Sequence, residues 1–119
     1  MIVKDNSVKL DGIQPIMRHA MRWADIVWRD LGQECVITAG TEAVKDGELI
    51  HSAGSLHPMG FALDFRTQYW SGGNLTDIGD DASCILETQL RSINEELDSG
   101  KFEVIQHKTH IHVEFEPNE

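Results

Sequence analysis

The sequence predicts an α+β domain, a small, mainly antiparallel sheet with two amphipathic helices packed on one face. Three observations carry that expectation. Two stretches repeat apolar residues at helical spacing, and four short runs alternate or cluster apolar residues as strands do. Their order along the chain is helix, strand, strand, helix, strand, strand, which suits helices segregated to one side of a sheet.

The first helix is read from Ile13 to Leu31, where Ile13, Ile16, Met17, Ala20, Ala24, Val27, Trp28 and Leu31 recur at spacings of three and four. Gly32 stands where a helix stop belongs. Glu34–Thr38 is short and β-branched and is followed by Ala39-Gly40, the pattern of a buried strand running into a turn. A loop rich in Gly, Ser and charge is expected from Thr41 to Gly60.

Phe61 to Thr67 alternates, with Phe61, Leu63 and Phe65 on one face and Ala62, Asp64 and Arg66 on the other. Tyr69 to Asp77 reads as a loop hinged at Gly72-Gly73. The second helix is signalled by Ile78, Ala82, Ile85, Leu86, Leu90, Ile93 and Leu97, with Gly100 closing it. Two strands, Phe102–Gln106 and His110–Phe115, end the chain.

There is no internal repeat, low-complexity tract or linker, so residues 1–119 are expected to form a single domain around one core. The formal charge of -10 repels nucleic-acid phosphates and anionic lipid, and the ten Lys and Arg are scattered rather than gathered into a stripe. No nucleic-acid partner and no membrane insertion are expected, and a monomer is the simplest state. Cys35 and Cys84 each lie in an apolar stretch and read as buried free thiols. Met1 to Leu10 lacks the basic flank and apolar core of a signal peptide, so synthesis in the cytoplasm is expected.

Two segments carry chemistry. In Gly54-Ser55-Leu56-His57-Pro58-Met59-Gly60-Phe61-Ala62-Leu63-Asp64, Pro58 and Gly60 prevent a helix and leave His57 on a turn and Asp64 on the strand that follows. The small Ala62, on the face of Asp64, leaves room for an ion and its water. In His107-Lys108-Thr109-His110-Ile111-His112-Val113-Glu114-Phe115, alternation sends Ile111, Val113 and Phe115 to the core. It gathers His110, His112 and Glu114 on the opposite face.

If these two strands pair with their apolar faces aligned, His112 and Asp64 come within ligand reach of each other. Two imidazoles and a carboxylate, with a fourth position left for water, make the usual set of donors for a hydrolytic zinc. Such an ion lowers the pKa of water to about 7 and polarises a scissile carbonyl. A neighbouring base must take the water proton, with His110 the leading candidate and Glu114 and His107 behind it. Taken singly, each residue has a plainer reading as a solvated strand face or surface histidine, and His19 and His51 are read that way.

At these residues the chain resembles the zinc D-alanyl-D-alanine peptidases and phage endolysin peptidases, whose fold is shared with lysostaphin-type enzymes and the hedgehog signalling domain. The hallmark Ser-x-His-x-x-Gly-x-Ala-x-Asp is matched by Ser55, His57, Gly60, Ala62 and Asp64, and the later His-x-His by His110 and His112. The resemblance spans about Val36 to Glu116. It implies zinc held by His57, Asp64 and His112, His110 assisting catalysis, and Ser55 beside the metal as a substrate contact. His107 extends the pattern to a His-x-x-His-x-His similar to that of some cell-wall endopeptidases. The implied activity is hydrolysis of peptide bonds in bacterial peptidoglycan, with the enzyme reaching the wall on release at lysis.

The chain departs from the pattern in two places. Many relatives carry an arginine in a Ser-Gly-Tyr-Arg turn, where it helps hold the substrate; the equivalent stretch here is Thr38-Ala39-Gly40-Thr41-Glu42, leaving Arg66 or Lys45 as substitutes. There is also no Glu-x-x-His pair, since Thr109 stands three before His112, and a histidine base is favoured. A non-catalytic zinc-binding module of the same fold is the alternative, distinguished by whether His110 or Glu114 closes the fourth ligand position. A cupin-like barrel with an iron or manganese His-x-His site is a third reading, which two long amphipathic helices argue against.

Overall fold

A computed structural model describes residues 1–42, 44–45, 48–49 and 56–118 of the chain. The elements in order are β1 (Ile2–Val3), α1 (Arg18–Asp30), β2 (Val36–Ala39), β3 (Val44–Lys45), β4 (Glu48–Leu49), β5 (Ala62–Arg66), β6 (Gln68–Ser71), β7 (Asn74–Asp77), α2 (Gly79–Asn94), β8 (Gly100–Gln106) and β9 (His110–Pro117). Five strands form one sheet in the order β1-β2-β5-β9-β8, with β1 parallel to β2 and every other pair antiparallel. The fold is α+β, as predicted.

Helix α1 starts later than its periodicity suggests. Pro15 opens a turn of 3-10 helix, Pro15–Met17, and the α-helix begins at Arg18. Proline suits a first turn because the amide it lacks would have no partner there. At the other end, Gly32 (φ +80) donates to Arg29 O at 3.0 Å and Gln33 donates to Trp28 O at 2.9 Å. Those two bonds satisfy the last carbonyls in a Schellman motif, and the left-handed residue is the glycine expected there. In α2 the apolar stripe buries Ala82, Leu86 and Leu90, while Asp77 Oδ1 accepts from Gly79 N at 2.8 Å and ties down the first turn.

Leu63 and Phe65 of β5 and Ile111, Val113 and Phe115 of β9 join Ala20, Ala24, Val27 and Trp28 of α1 and Ala82, Leu86 and Leu90 of α2 in one buried cluster. Each large side chain removed from water there contributes about 1.5–3 kcal/mol, so this face of the sheet is committed to the helices. Trp28 also donates from Nε1 to Arg66 O at 2.7 Å, locking the end of β5 to α1. The opposite face of β5 and β9 is thereby left for polar side chains.

Several local expectations are corrected. The stretch Tyr69–Asp77 is part of a hairpin, β6–β7, turning at Gly72 (φ +57) and Gly73 (φ +80). Two consecutive positive φ values are what a two-residue type I′ turn requires, and Gly-Gly supplies them without a Cβ penalty. Within Thr41–Gly60 a short antiparallel pair, β3–β4, interrupts the expected loop. Gly100 does not close α2 but opens β8, where a Cβ would stand 2.2 Å from Glu116 O. Cys84 is exposed on α2, whereas Cys35 is buried and its thiol is pushed up to about 12, chiefly by that burial. The parallel strand β1 was too short to leave a pattern.

Candidate metal centre

Strands β5 and β9 pair so that Ala62 faces Glu114, Asp64 faces His112 and Arg66 faces His110. Cross-strand partners share a face, so all six project away from the helices. His57 reaches the same point from the preceding turn. Gly60 (φ +84) donates to His57 O at 3.0 Å, Phe61 N to Leu56 O at 3.0 Å and Gln14 N to Gly60 O at 2.9 Å. A Cβ on residue 60 would lie 2.1 Å from Gly12 O, so glycine is required twice over, by φ and by space.

Three donor atoms meet in a triangle. His112 Nδ1 is 2.9 Å from Asp64 Oδ1, His57 Nε2 is 3.1 Å from His112 Nδ1, and His57 Nε2 is 3.2 Å from Asp64 Oδ1. Tetrahedral zinc, with bonds of about 2.0–2.1 Å to N and O, separates its ligand atoms by about 3.3 Å. The observed triangle is tighter by only a few tenths of an ångström. The site is well sheltered, His57 being only 3% exposed.

The far nitrogens of both imidazoles have acceptors. His57 Nδ1 donates to Gly40 O at 3.0 Å, and His112 Nε2 donates to Glu114 Oε1 at 2.8 Å. With those protons placed outward, His57 Nε2 and His112 Nδ1 present lone pairs, and Asp64 Oδ1 presents a third. Three lone pairs aimed at one another repel unless a cation or a proton lies among them. The donor set therefore fits a divalent metal. Without a metal, a proton lies among these atoms instead: burial works to raise the Asp64 carboxyl, yet hydrogen bonding with His112 and His57 outweighs it and holds the group well below the usual carboxylate range. Burial works to lower His112, but Asp64 and Glu114 outweigh it and raise that imidazole.

His110 stands apart from the triangle, its Nε2 3.7 Å from Asp64 Oδ2. Burial is the main cause that lowers its pKa; Asp64 opposes the shift, and His107 and His112 add to it. Its Nδ1 lies 3.2 Å from Thr109 Oγ1. His107 stacks on His110 with ring centroids 4.7 Å apart and serves as a buttress at this position. Glu114 is engaged by the outer nitrogen of His112. Among the described residues, no other His, Cys, Asp or Glu joins His57, Asp64 and His112 within ligand distance. A second acidic group, Glu103, Glu114 and Glu116, has no imidazole and lies nearer solvent.

Arg66 and His110 also line a cleft of about 750 Å³ at the end of the sheet, walled by the β6–β7 hairpin through Tyr69, Trp70, Ser71 and Thr76. The triangle itself does not line this cleft, and His110 links the two. Ser55 and His51 lie outside the described residues, as does the side chain of Lys45.

Sequence reading missed Glu42. Its carboxylate is buried and accepts from Gly40 N at 2.9 and 3.0 Å and from Lys9 N at 3.0 Å, while Thr41 N donates to Lys9 O at 2.6 Å. Glu42 thus shapes the turn whose Gly40 carbonyl orients His57. Gly40 has no room for a side chain, since a Cβ would lie 2.1 Å from Lys9 O. The available signal was a carboxylate two residues after Gly40, a spacing at which it can accept from the amides of its own turn. Compared with protein-family models, curated proteins and solved structures, the chain matches none.

Proposed function

We propose that this protein is a zinc-dependent peptidase that hydrolyses peptide bonds of bacterial peptidoglycan. One observation carries the reading: three lone-pair donors converge with both imidazoles oriented from behind, and no fourth protein ligand among the described residues closes the set. A structural zinc is normally enclosed by four protein ligands, whereas a catalytic one keeps a position for water. That distinction favours an enzyme over a non-catalytic zinc-binding module.

Zinc held here supplies Lewis acidity toward a peptide carbonyl and a water acidic enough to attack near neutral pH. His57, Asp64 and His112 hold the ion. Gly40 O and Glu114 keep the two imidazoles in the ligating tautomer. His110, beside Asp64 and open to the cleft, is the group placed to take a proton. With Nδ1–H donating to Thr109 Oγ1, its Nε2 carries a lone pair, and burial shifts the ring's pKa downward. The choice of peptidoglycan rests on the resemblance of the His57–Asp64 and His110–His112 segments to cell-wall peptidases.

The test is metal analysis of the purified protein together with release of soluble peptides from isolated cell walls, for wild type, chelated protein, chelated protein with zinc restored, and His112→Ala. We expect hydrolysis that follows the zinc content and vanishes in His112→Ala. Undiminished wall cleavage by His112→Ala would sink the site, and stoichiometric zinc with no peptide hydrolysed would transfer the reading to a binding module.

A further inference from the structure

We infer that the free edge of β6 is a docking edge for the substrate, where an extended peptide adds as a strand and pairs with the backbone of Gln68 and Trp70. Which peptide docks rests on the peptidase reading; strand addition itself does not depend on hydrolysis.

Hairpin register decides which backbone groups are free. Ser71 pairs with Asn74 across the Gly72-Gly73 turn, and Tyr69 pairs with Thr76. In a hairpin closed by a type I′ turn, the two residues flanking the turn exchange both hydrogen bonds, and that exchange recurs at every second position. Ser71 and Tyr69 therefore direct their N–H and C=O groups to β7. Those of Gln68 and Trp70 point the other way, and among the described residues neither has a backbone partner there.

This edge opens on the cleft. Gln68 and Trp70 share a hairpin face with their cross-strand partners, Asp77 and Leu75. Yet Gln68 and Trp70 line the cleft beside His110, whereas Asp77 and Leu75 do not. They therefore reach it from the edge of β6 and not from the shared face. His110 lines the same cleft and has its Nε2 3.7 Å from Asp64 Oδ2, so one concavity joins the edge to the candidate metal centre.

Contrast with another edge is the third ground. An exposed strand edge is a template for pairing, and proteins ordinarily blunt it with charge, proline, a bulge or a covering element. At β8 the sheet edge is blunted. Asn94 of α2 donates from Nδ2 to Phe102 O at 3.0 Å and accepts at Oδ1 from Phe102 N at 2.7 Å, filling the place of a neighbouring strand. β6 has no such guard: residues 68–76 include no Lys, Arg, Asp, Glu or Pro, in a chain with twenty acidic and ten basic residues. The hairpin is also fastened in position, since Tyr69 Oη donates to Glu34 O at 2.6 Å. An open, uncharged and fixed edge suits strand addition, in which main-chain hydrogen bonds give affinity and alternate side chains give specificity.

The test reads the period of two on the protein. Full-length protein, with zinc and after chelation, is titrated by NMR with N-acetyl-Ala-Gly-Ala-Gly-Ala-Gly-amide in L-Ala and D-Ala forms, whose blocked ends carry no charge. With one form or both, we expect the amide protons of Gln68 and Trp70 to move downfield and exchange more slowly with solvent. Those of Tyr69 and Ser71, already bonded to β7, should stay. The same peptide N-methylated at every residue should not bind. Trp70→Pro removes one donor where an edge strand tolerates proline, and should weaken binding at least about fivefold beyond Trp70→Ala, which loses the ring but keeps the amide. No binding of either form, binding with the Gln68 and Trp70 amides unmoved, or equal binding by Trp70→Pro and Trp70→Ala would overturn the docking edge. The amide shifts of the wild type decide the matter even if the proline variant misfolds. Strand addition in a protein that hydrolyses neither this peptide nor wall peptides would leave the edge standing and remove the peptidase reading. Wall-peptide hydrolysis with both amides unmoved would do the reverse.

Discussion

Asp64 and His112 are Cα partners across the β5–β9 ladder, and their side chains meet with Oδ1 and Nδ1 2.9 Å apart. Sheet geometry alone brings the two together, and His57 then completes a triangle from a turn held by Gly60. Glu114, two residues beyond His112 on the same face, accepts from its other nitrogen at 2.8 Å. The candidate ligand His112 and its orienting group thus come from one alternating strand.

The linkage between this triangle and pH has a definite sign. In protein stripped of metal by a chelator, the lowered Asp64 contributes stability that is present above its ordinary value of 3.8 and lost as pH falls through the depressed one. The raised His112 contributes stability that is present below 6.5 and lost as pH rises through the elevated value. Chelated protein should therefore melt several degrees higher near pH 5 than near pH 8. Zinc should reverse that order, because the metal needs both imidazoles neutral and displaces the proton. Thermal unfolding with chelator or excess zinc at the two pH values checks it; a chelated protein equally stable at both contradicts it.

His110→Ala should leave zinc content unchanged and lower the rate of peptide hydrolysis by about 10²–10⁴-fold, the usual contribution of a positioned acid or base. Metal analysis and wall-peptide release on one preparation measure both. Loss of zinc from this variant would make His110 a ligand rather than a proton acceptor.

For Glu114 the arrangement predicts a metal effect. Glu114→Ala should weaken zinc binding by about 10–100-fold, as loss of an orienting acceptor behind a ligating histidine does. Glu114→Gln, which keeps an oxygen for His112 Nε2, should weaken it less and remain active when saturated with zinc. Competition with a chromogenic chelator reads the affinity. Inactivity of zinc-saturated Glu114→Gln would instead make Glu114 the base.

Gly60→Ala meets both a left-handed backbone and the Gly12 carbonyl, and should cost about 2–4 kcal/mol of stability. Gly72→Ala has positive φ but nothing within 4 Å, so it should cost only about 1–2 kcal/mol. Denaturant unfolding of the two variants side by side tests the difference. Equal losses would show that the contact with Gly12 has no weight.

How much of this was legible depends on the range of the interaction. Alternation along Phe61–Thr67 and His110–Phe115 is local, and a period of two leaves little freedom once one face must be buried. It puts Asp64, His110, His112 and Glu114 on the side of their strands opposite the apolar residues. The helices were readable for the same reason, although Pro15 moved the start of α1 and Gly100 belonged to the next strand. Gly72-Gly73 reads from the sequence as a loop hinge, whereas the paired left-handed conformation of a type I′ turn makes it the corner of a hairpin.

The sequence by itself determined which residues have donor chemistry and which face of each strand they occupy, because side-chain identity and strand period are local properties. Only the tertiary structure decided the register that sets Asp64 opposite His112, the outward partners that orient the imidazoles, and the employment of Glu42 in holding the Gly40 turn. It also decided that Gln68 and Trp70 of β6 line the cleft that His110 borders. Those are relations between segments distant in the chain, settled when burial of Leu63, Phe65, Ile111 and Val113 against the helices fixes how the strands pair.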